Sequence, residues 1–594
     1  MERQDMSEKR IDINVPVLAR VEGEGALDLR IENDVITNLK LRIFEPPRYF
    51  EKFLEGRSYK DVTDIVARIC GICPVAYQMS AVQALESIFQ FTPSQWVQDM
   101  RRLMYCGEWL QSHSLHIHML AAPDFLGFGS VIDMARDHGD AVRRGLNLQG
   151  LGNDLIRLLG GRSVHPVSVC AGGLYHAPHE QDIDDLLTRF KQAQQDAADL
   201  IAWTAALDLA QDEQAFTSVS LRHAQIYPMN AGRLVSDNGL DIASHEFDTH
   251  FREQHMPQST ALHCLLHDEP YLVGPLARLN NNLDRLPDAT RVILDSTGIA
   301  FPSRNMFHSI VARAVEIHFA LHEAIRLMEA YAEPAHAFEE VSVQAGVGYG
   351  CTEAPRGILW HRYELDASGH VTTARIVPPT SQNQARIEQD IGNALSHFGL
   401  DNEDNALQLH AEKVIRNYDP CISCATHFLT LNIDRSTALT GAAWMKPVAG
   451  GNITLIAVGS PFTPDNIAWQ VVEGLEDRIE HRHTNIIKLD RPGTELLRYL
   501  EHAEAIYILD AVLTDTQSDE LLLIYTDQLV SGKHEISSHE TGLAAALQLA
   551  NRLGHKLDNV RIIGIPVLQT AEGFFAAGDI EEWRNRLIAR LQHG

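Results

Sequence analysis

Between residues 11 and 45 the run IDINVPVLARVEGEGALDLRIENDVITNLKLRIFE alternates apolar and polar side chains and breaks at Glu32-Asn33-Asp34. A period of two marks strands with one buried face, and a polar break between two such runs is a turn, so this segment predicts a strand pair and a β-rich N-terminal layer. From about residue 60 to 340 the apolar spacing lengthens to that of helices, as in DVTDIVARI, MSAVQALESIF, WVQDMRRLMYCGEWLQ and NMFHSIVARAVEIHFALHEAIRLMEAYAE. That predicts a long, mainly helical body. Glycine, proline and short strand-like runs return between Val343 and Asn383, and QARIEQDIGNALSHF reads as a further helix.

Past WMKPVAGG the pattern changes again, with strands NITLIAVG, NIIKL, AIYILDAV and VRIIGIPV separated by the helical runs IAWQVVEGLEDR and TELLRYLEHA, and with a last helix at the end. Strands alternating with helices predict a separate parallel-sheet domain of roughly 140 residues. The expected fold is therefore α+β: a mainly helical body with a small N-terminal β layer over 1–430, a tail or linker over 431–451, and an α/β domain over 452–594.

A chain of 594 residues is too long for one ordinary core, which supports the division. Its net charge of -29 repels a phosphate backbone, and no Lys/Arg run interleaved with aromatics offsets it, so nucleic acid is excluded as a partner. The segment MERQDMSEKR lacks the apolar stretch of a signal peptide, and no run approaches the ~18 apolar residues of a membrane helix; the chain reads as cytoplasmic, without membrane insertion.

Eight cysteines are too few for a disulfide framework in a chain of this length. Four form two CxxC pairs, Cys70 and Cys73 in RICGICPVA and Cys421 and Cys424 in DPCISCATH; Cys106, Cys170, Cys264 and Cys351 are scattered and read as small buried hydrophobes. Two CxxC units supply a four-sulfur shell for a soft or borderline transition metal. By itself the spacing leaves open a structural zinc or an iron–sulfur cluster.

The residues around the pairs are more specific. RICGICPVA and DPCISCATH resemble the first and last signatures of nickel–iron hydrogenase large subunits, and RVEGEG, PPRYFEKFLEGR, GGRSVHP, EAPRGILWHRY, PPTSQN and EKVIRNYDP fall between them in that family's order. The resemblance spans residues 10 to 430 and looks strongest to the cytoplasmic, pyridine-nucleotide-linked group. It implies Cys70 and Cys421 as terminal nickel ligands, Cys73 and Cys424 as bridges to an iron carrying carbonyl and cyanide, Glu22 as a proton relay and Arg356 as a cation above the metals. It also implies Glu51 and His427 as ligands of a magnesium ion, with Asp419, Arg68, His165 and Asn383 as hydrogen-bonding residues around the site. The plain alternatives are a solvent-facing charge for Glu22, a carboxylate salt bridge for Arg356 and a core histidine for His427. One departure stands out: Tyr77 occupies the place of a histidine, which it can replace as a hydrogen-bond donor but not as a proton carrier near neutral pH.

The implied partners are an iron–sulfur small subunit, NAD(P)-reductase (diaphorase) subunits and hydrogenase maturation factors. Rival functions are a hydrogen-sensing regulatory subunit of low turnover and a quinone-reductase relative that has lost its metals. FLTLNIDRSTALTGAAWM resembles the family's removable tail, and the α/β domain beyond it resembles the maturation endopeptidase, with Asp510 in YILDAV and His539 in ISSHETGL matching two nickel contacts. Asn466 stands where a carboxylate is expected and Ser460-Pro461 where a Gly-Asn turn is usual, so the domain reads as an active protease, a folding chaperone or a docking domain.

Overall fold

The computed structural model describes residues 10–426 apart from 16–17 and 46–47. Beyond them it describes 453–459, 467–473, 475, 478, 484–490, 494–500, 505–513, 521–524, 543–553, 555, 557, 559–570, 573–576 and 579–593. Two compact units separate, one of residues 1–134 with 140–431 and one of 135–139 with 432–594.

In the first unit β1 (Arg10–Val15), β2 (Gly25–Glu32) and β3 (Val35–Ile43) form an antiparallel meander. Asn33 and Asp34 close the β2–β3 turn with φ of 52° and 60°, a left-handed pair that short polar side chains tolerate. Ile11, Ile13, Leu27, Leu29 and Ile31 are buried on the inward face. The helical body follows with α1 (Phe50–Leu54), α2 (Tyr59–Ala67), α3 (Pro74–Ile88) and α4 (Gln95–Leu115), the last running on through a π-helical turn at His116–Ala121. Further along lie α5 (Pro275–Asn282) and α6 (Ser309–Glu329), then a second meander of β4 (Gly346–Ala354), β5 (Gly357–Leu365) and β6 (Val371–Val377). α7 (Pro379–Phe398), α8 (Asp404–Tyr418) and the short α9 (Ile422–Ala425) complete it.

α3 lies directly on β4, and the glycines of GVGYG allow it: a Cβ on Gly350 would stand 2.0 Å from the Ser80 carbonyl oxygen. α4 packs along α6, so these two 21-residue helices bury their apolar faces against each other. The expected mainly helical stretch is interrupted by three small antiparallel sheets, Val169–Cys170 with Gly173–Leu174, Val219–Arg222 with Arg233–Ser236 and Asp241–Ile242, and Phe251–Gln254 with His263–Leu266. Strands of two to four residues are too short for a period of two to emerge from sequence.

The second unit has a sheet in the order β8-β7-β9-β11-β10, from β7 (Ile453–Gly459), β8 (Thr484–Asp490), β9 (Ala505–Leu513), β10 (Leu522–Ile524) and β11 (Val560–Thr570), with β12 (Gly573–Ala576) also on β11. β8, β7, β9 and β11 run parallel; β10 and β12 are antiparallel to β11. Leu455, Ala457, Leu509, Ile563 and Ile565 pack with Val471, Trp583 and Leu587 from helices Ile467–Val472 and Ile580–His593. The described part of TELLRYLEHA is a 3-10 turn, Thr494–Tyr499, rather than the expected α-helix. Among the described residues no single helix is long and apolar enough to cross a membrane.

Candidate metal centre

Cys70 follows α2, and Cys73 stands at the N-cap of α3, whose first residue is Pro74. Proline is pre-organised there because its missing N–H is one the helix start leaves unpaired in any case. Cys421 is the N-cap of α9 and Cys424 lies within it, just beyond α8. The fold brings these two distant segments together: all four Sγ atoms are buried and lie within 4.8 Å of one another. Cys70 Sγ is 3.4 Å from Cys421 Sγ, Cys73 Sγ 3.7 Å from Cys424 Sγ, and Cys421 Sγ 2.8 Å from Cys424 Sγ. The backbone N–H groups of Ile72 and Cys73 point at Cys70 Sγ from 3.3 and 3.4 Å, a setting that favours a thiolate. Four converging soft donors, shielded from water, suit a transition metal and serve no disulfide, since all are free thiols. The other four cysteines are buried as expected, and burial pushes the Cys170 thiol up to about 11.

The two cysteine segments are tied to each other by Arg48, whose Nη2 donates to the Ile69 carbonyl at 2.6 Å and to the Ser423 carbonyl. Its backbone N–H binds the Thr426 carbonyl at 3.0 Å. Glu108 of α4, wholly buried, caps α3 by accepting from Val75 and Ala76 N–H at 2.6 and 3.1 Å. An anion at a helix N-terminus is favourable, though burial still pushes this carboxyl well above its ordinary range. Neither residue stands out from sequence alone. Arg48 sits inside the PPRYFEKFLEGR motif, and a glutamate on the inward stripe of WVQDMRRLMYCGEWLQ is the available sign of Glu108.

Glu22 is buried beside the second pair and is no solvent-facing charge. Its Oε2 accepts from Ser423 N–H at 3.0 Å, and its carbonyl accepts from Ile422 N–H at 2.9 Å, so it lies against the loop between Cys421 and Cys424. Gly23, at φ +88°, makes that approach possible, because a Cβ there would stand 2.7 Å from Ile422 Cβ. Ser423 Oγ in turn donates to Glu45 Oε2 at 2.8 Å.

Arg356 occupies the two-residue turn between β4 and β5 and is buried. It makes the carboxylate pair of the plain alternative, with Nε 2.7 Å from the Asp419 carbonyl and Nη2 2.9 Å from Asp419 Oδ1, and it also feels the sulfurs. Burial works against its charge, but Asp419 and the sulfurs of Cys421, Cys73 and Cys70 outweigh that, so Arg356 stays protonated. Asp419 can reach it because it ends α8 in the left-handed conformation, at φ 57°, immediately before Pro420. Ser112 Oγ accepts from Arg356 Nη1 at 3.2 Å.

Tyr77 is buried on α3, its ring 5.7 Å from that of His361, and its hydroxyl has no hydrogen-bond partner among the described residues. Burial and then the sulfurs, Cys424 foremost, hold its pKa well above the ordinary value, so it remains a donor facing negative charge. Glu51 lies apart from the thiols, accepting from Ile376 N–H at 2.7 Å and lining a cavity of about 270 Å³ with Glu253, Asp248, Arg375, Ser381 and Ala425. Burial raises it to about 7. His165 binds the Ala67 carbonyl at 2.7 Å, at the end of α2, three residues before Cys70. Asn383 brackets the backbone of Val273 at 3.0 and 3.1 Å. Arg68 lines a pocket with Arg57, Asp61, Asp64 and Ile65. Asp510, half-buried, sits on β9 opposite Gly564 of β11. His427, Asn466, Ser460-Pro461 and His539 lie outside the described residues.

A family model described as nickel-dependent hydrogenase matches residues 48–149 and 266–427, and one described as hydrogenase maturation protease matches 469–587. Sulfhydrogenase 1 subunit alpha of Pyrococcus furiosus is 30% identical over 430 residues, 71% of this chain and 99% of that protein. NAD-reducing hydrogenase HoxS subunit beta of Cupriavidus necator is 28% identical over 472 residues, 69% of this chain and 94% of that one. Among solved structures, an NAD+-reducing NiFe hydrogenase in the H2-reduced state superposes with a TM-score of 0.64 at 27% identity, over 70% of this chain and 99% of that chain.

Proposed function

Because the chain belongs to the nickel-dependent hydrogenase family, as a catalytic large subunit followed by a hydrogenase maturation protease domain, we propose that Cys70 and Cys421 bind nickel terminally while Cys73 and Cys424 bridge it to iron. The observation that carries this is the convergence of four buried thiols from two distant segments, with terminal facing terminal at 3.4 Å and bridge facing bridge at 3.7 Å. It speaks against a relative that has lost its metal ligands. We further assign carbonyl and cyanide ligands to the iron.

When bound, the metal pair supplies the Lewis acidity that lets dihydrogen divide into two protons and two electrons. Glu22, buried against the Cys421–Cys424 loop, takes a proton and hands it on, as a carboxyl within reach of the reacting atoms can. Arg356 keeps a fixed positive charge over the thiols, in a site that excludes water and so strengthens its field. Tyr77 offers its unpartnered hydroxyl to the sulfurs. Glu51 and His427 hold magnesium; Ala425, two residues before His427, lines the same cavity as Glu51.

Electrons leave to an iron–sulfur small subunit and on to NAD(P)-reductase subunits, in line with the NAD-reducing relatives, and the complex works in the cytoplasm beside that acceptor. The hydrogenase domain spans 1–430, the tail 431–451 and the protease-like domain 452–594. With Asn466 in place of a carboxylate, the last domain serves as a folding chaperone or docking domain rather than as an active protease.

The test is an infrared spectrum of the full chain, co-produced with its small subunit and active maturation factors. Carbonyl and cyanide bands from iron are expected. A folded, metal-loaded protein without them would refute the bimetallic assignment.

A further inference from the structure

Around Arg356 the buried charges close into a ring. Asp419 receives Arg356 on Oδ1, and its Oδ2 stands 3.5 Å from Arg313 Nη1, which lies 3.5 Å from His113 Nδ1. His113 Nε2 is 2.9 Å from Glu316 Oε2. Glu316 accepts both Nε and Nη2 of Arg278, each at 2.7 Å. Arg278 Nη1 then donates to Glu353 Oε2 at 2.6 Å and to the Ala354 carbonyl at 3.0 Å, and Nη2 to the Pro355 carbonyl at 3.2 Å. Pro355 is bonded to Arg356, which completes the circuit.

Three guanidinium groups face three carboxylates in this ring, and all of them are buried, Arg278, Glu316 and Glu353 completely. Such a set survives burial only because every charge is paired and hydrogen-bonded. Arg278 is distinctive within it. It grips three successive residues, Glu353, Ala354 and Pro355, which lead into Arg356, and it rests on the Trp109 ring with its Cζ 4.3 Å from the centroid. Trp109 Nε1 adds a bond to the Glu353 carbonyl at 3.0 Å. Asp419 holds only the head of the Arg356 side chain; the turn that carries it is anchored at Glu353 by Met229 and Leu221, and Arg278 adds the hold on the Ala354 and Pro355 carbonyls.

We propose that Arg278 is a positioning residue for the dihydrogen reaction: it clamps residues 353–355 so that the Arg356 guanidinium is held over the thiols from its backbone as well as from its head. This rests on the role assigned to Arg356 in the bimetallic site. A cation displaced by about 1 Å from the reacting atoms loses much of its effect, on the order of a hundredfold in rate.

Arg278→Lys tests it, because the lysine keeps the charge for Glu316 and Glu353 but has three donors in place of a planar fork that makes five bonds. The holoenzyme with its bound subunits is assayed for nickel per chain, dihydrogen turnover and backbone hydrogen–deuterium exchange across residues 353–357. The last readout does not depend on the metals, so failure of the bimetallic reading and failure of this one are separable. Nickel content as in the wild type, faster exchange in the turn and turnover lower by about tenfold or more are expected. Glu353→Gln keeps side-chain volume but removes one of two acceptors, Oε2 serving Arg278 and Oε1 serving Leu221 N–H at 2.6 Å, and should move both readouts the same way. Unchanged exchange and turnover in both variants would overturn the proposal, and so would loss of nickel in both, which would make Arg278 a general core residue.

Discussion

Arg48 allows the coupling between the two cysteine segments to be measured. Its guanidinium reaches the carbonyl just ahead of Cys70 and the one between Cys421 and Cys424. Arg48→Met keeps the unbranched stem of the side chain and removes the guanidinium with all its donors. The Ser423 carbonyl retains Thr426 Oγ1 at 3.3 Å, so the Ile69 carbonyl bears most of the loss. Leaving a buried acceptor unpaired costs about 1–3 kcal/mol. The Arg48 side chain is 29% exposed, so water offsets part of this, and about 2 kcal/mol remains as the working figure. If that cost falls on holding the four sulfurs together, it corresponds to about thirtyfold weaker nickel retention. The assay follows nickel lost by the purified holoenzyme against a strong chelator over hours. Loss faster by about tenfold to thirtyfold is expected, with Arg48→Lys between the two because a single ammonium can keep one of the bonds. An unchanged rate of nickel loss with a lowered thermal midpoint would refute the coupling and leave Arg48 a contributor to the fold alone.

Three further outcomes rest on the same geometry. Glu22→Gln keeps an acceptor for Ser423 N–H but carries no proton, so turnover should fall by about 10²–10⁴-fold while nickel content holds; near-normal turnover would remove Glu22 from the proton route. Asp390 is raised from 3.8 to about 6, mainly by burial and against the pull of Arg386. The unfolded chain therefore gives up this proton first as pH rises, and the group's contribution to stability is lost between about pH 4 and 6, by roughly 3 kcal/mol in all. Asp390→Asn should flatten that part of the pH–stability profile measured by thermal unfolding, and an unaltered slope would contradict the shift. Magnesium added to chelator-treated protein above pH 7 should raise the thermal midpoint of the wild type and not of Glu51→Gln; equal responses would separate Glu51 from the magnesium site.

Local pattern made some of this protein legible. The alternation on either side of Asn33-Asp34 marks β2 and β3, because neighbouring residues in a strand must face opposite sides. The strand–helix order after residue 452 announces a parallel sheet for the same short-range reason. The two CxxC spacings, with Pro74 opening α3 behind the first, determine on their own that each segment presents two thiols to one side. The short strands between Val169 and Leu266 were not legible, since two to four residues carry too little periodicity and are set by pairing partners far along the chain.

What only the tertiary structure decided is how distant segments meet. Nothing within reach of Cys73 specifies that Cys424 will stand 3.7 Å away; that comes from α3 lying on β4 and from Arg48 bridging the two loops. The same holds for Glu108 at the head of α3, for Asp419 turned back onto Arg356 and for the ring through Arg278. The sequence determined the candidate metal-binding cysteines and the local elements, because caps, turns and periodicity act over a few residues. The packed fold decided which buried charges are paired, because a charge removed from water must find its partner wherever the chain brings one.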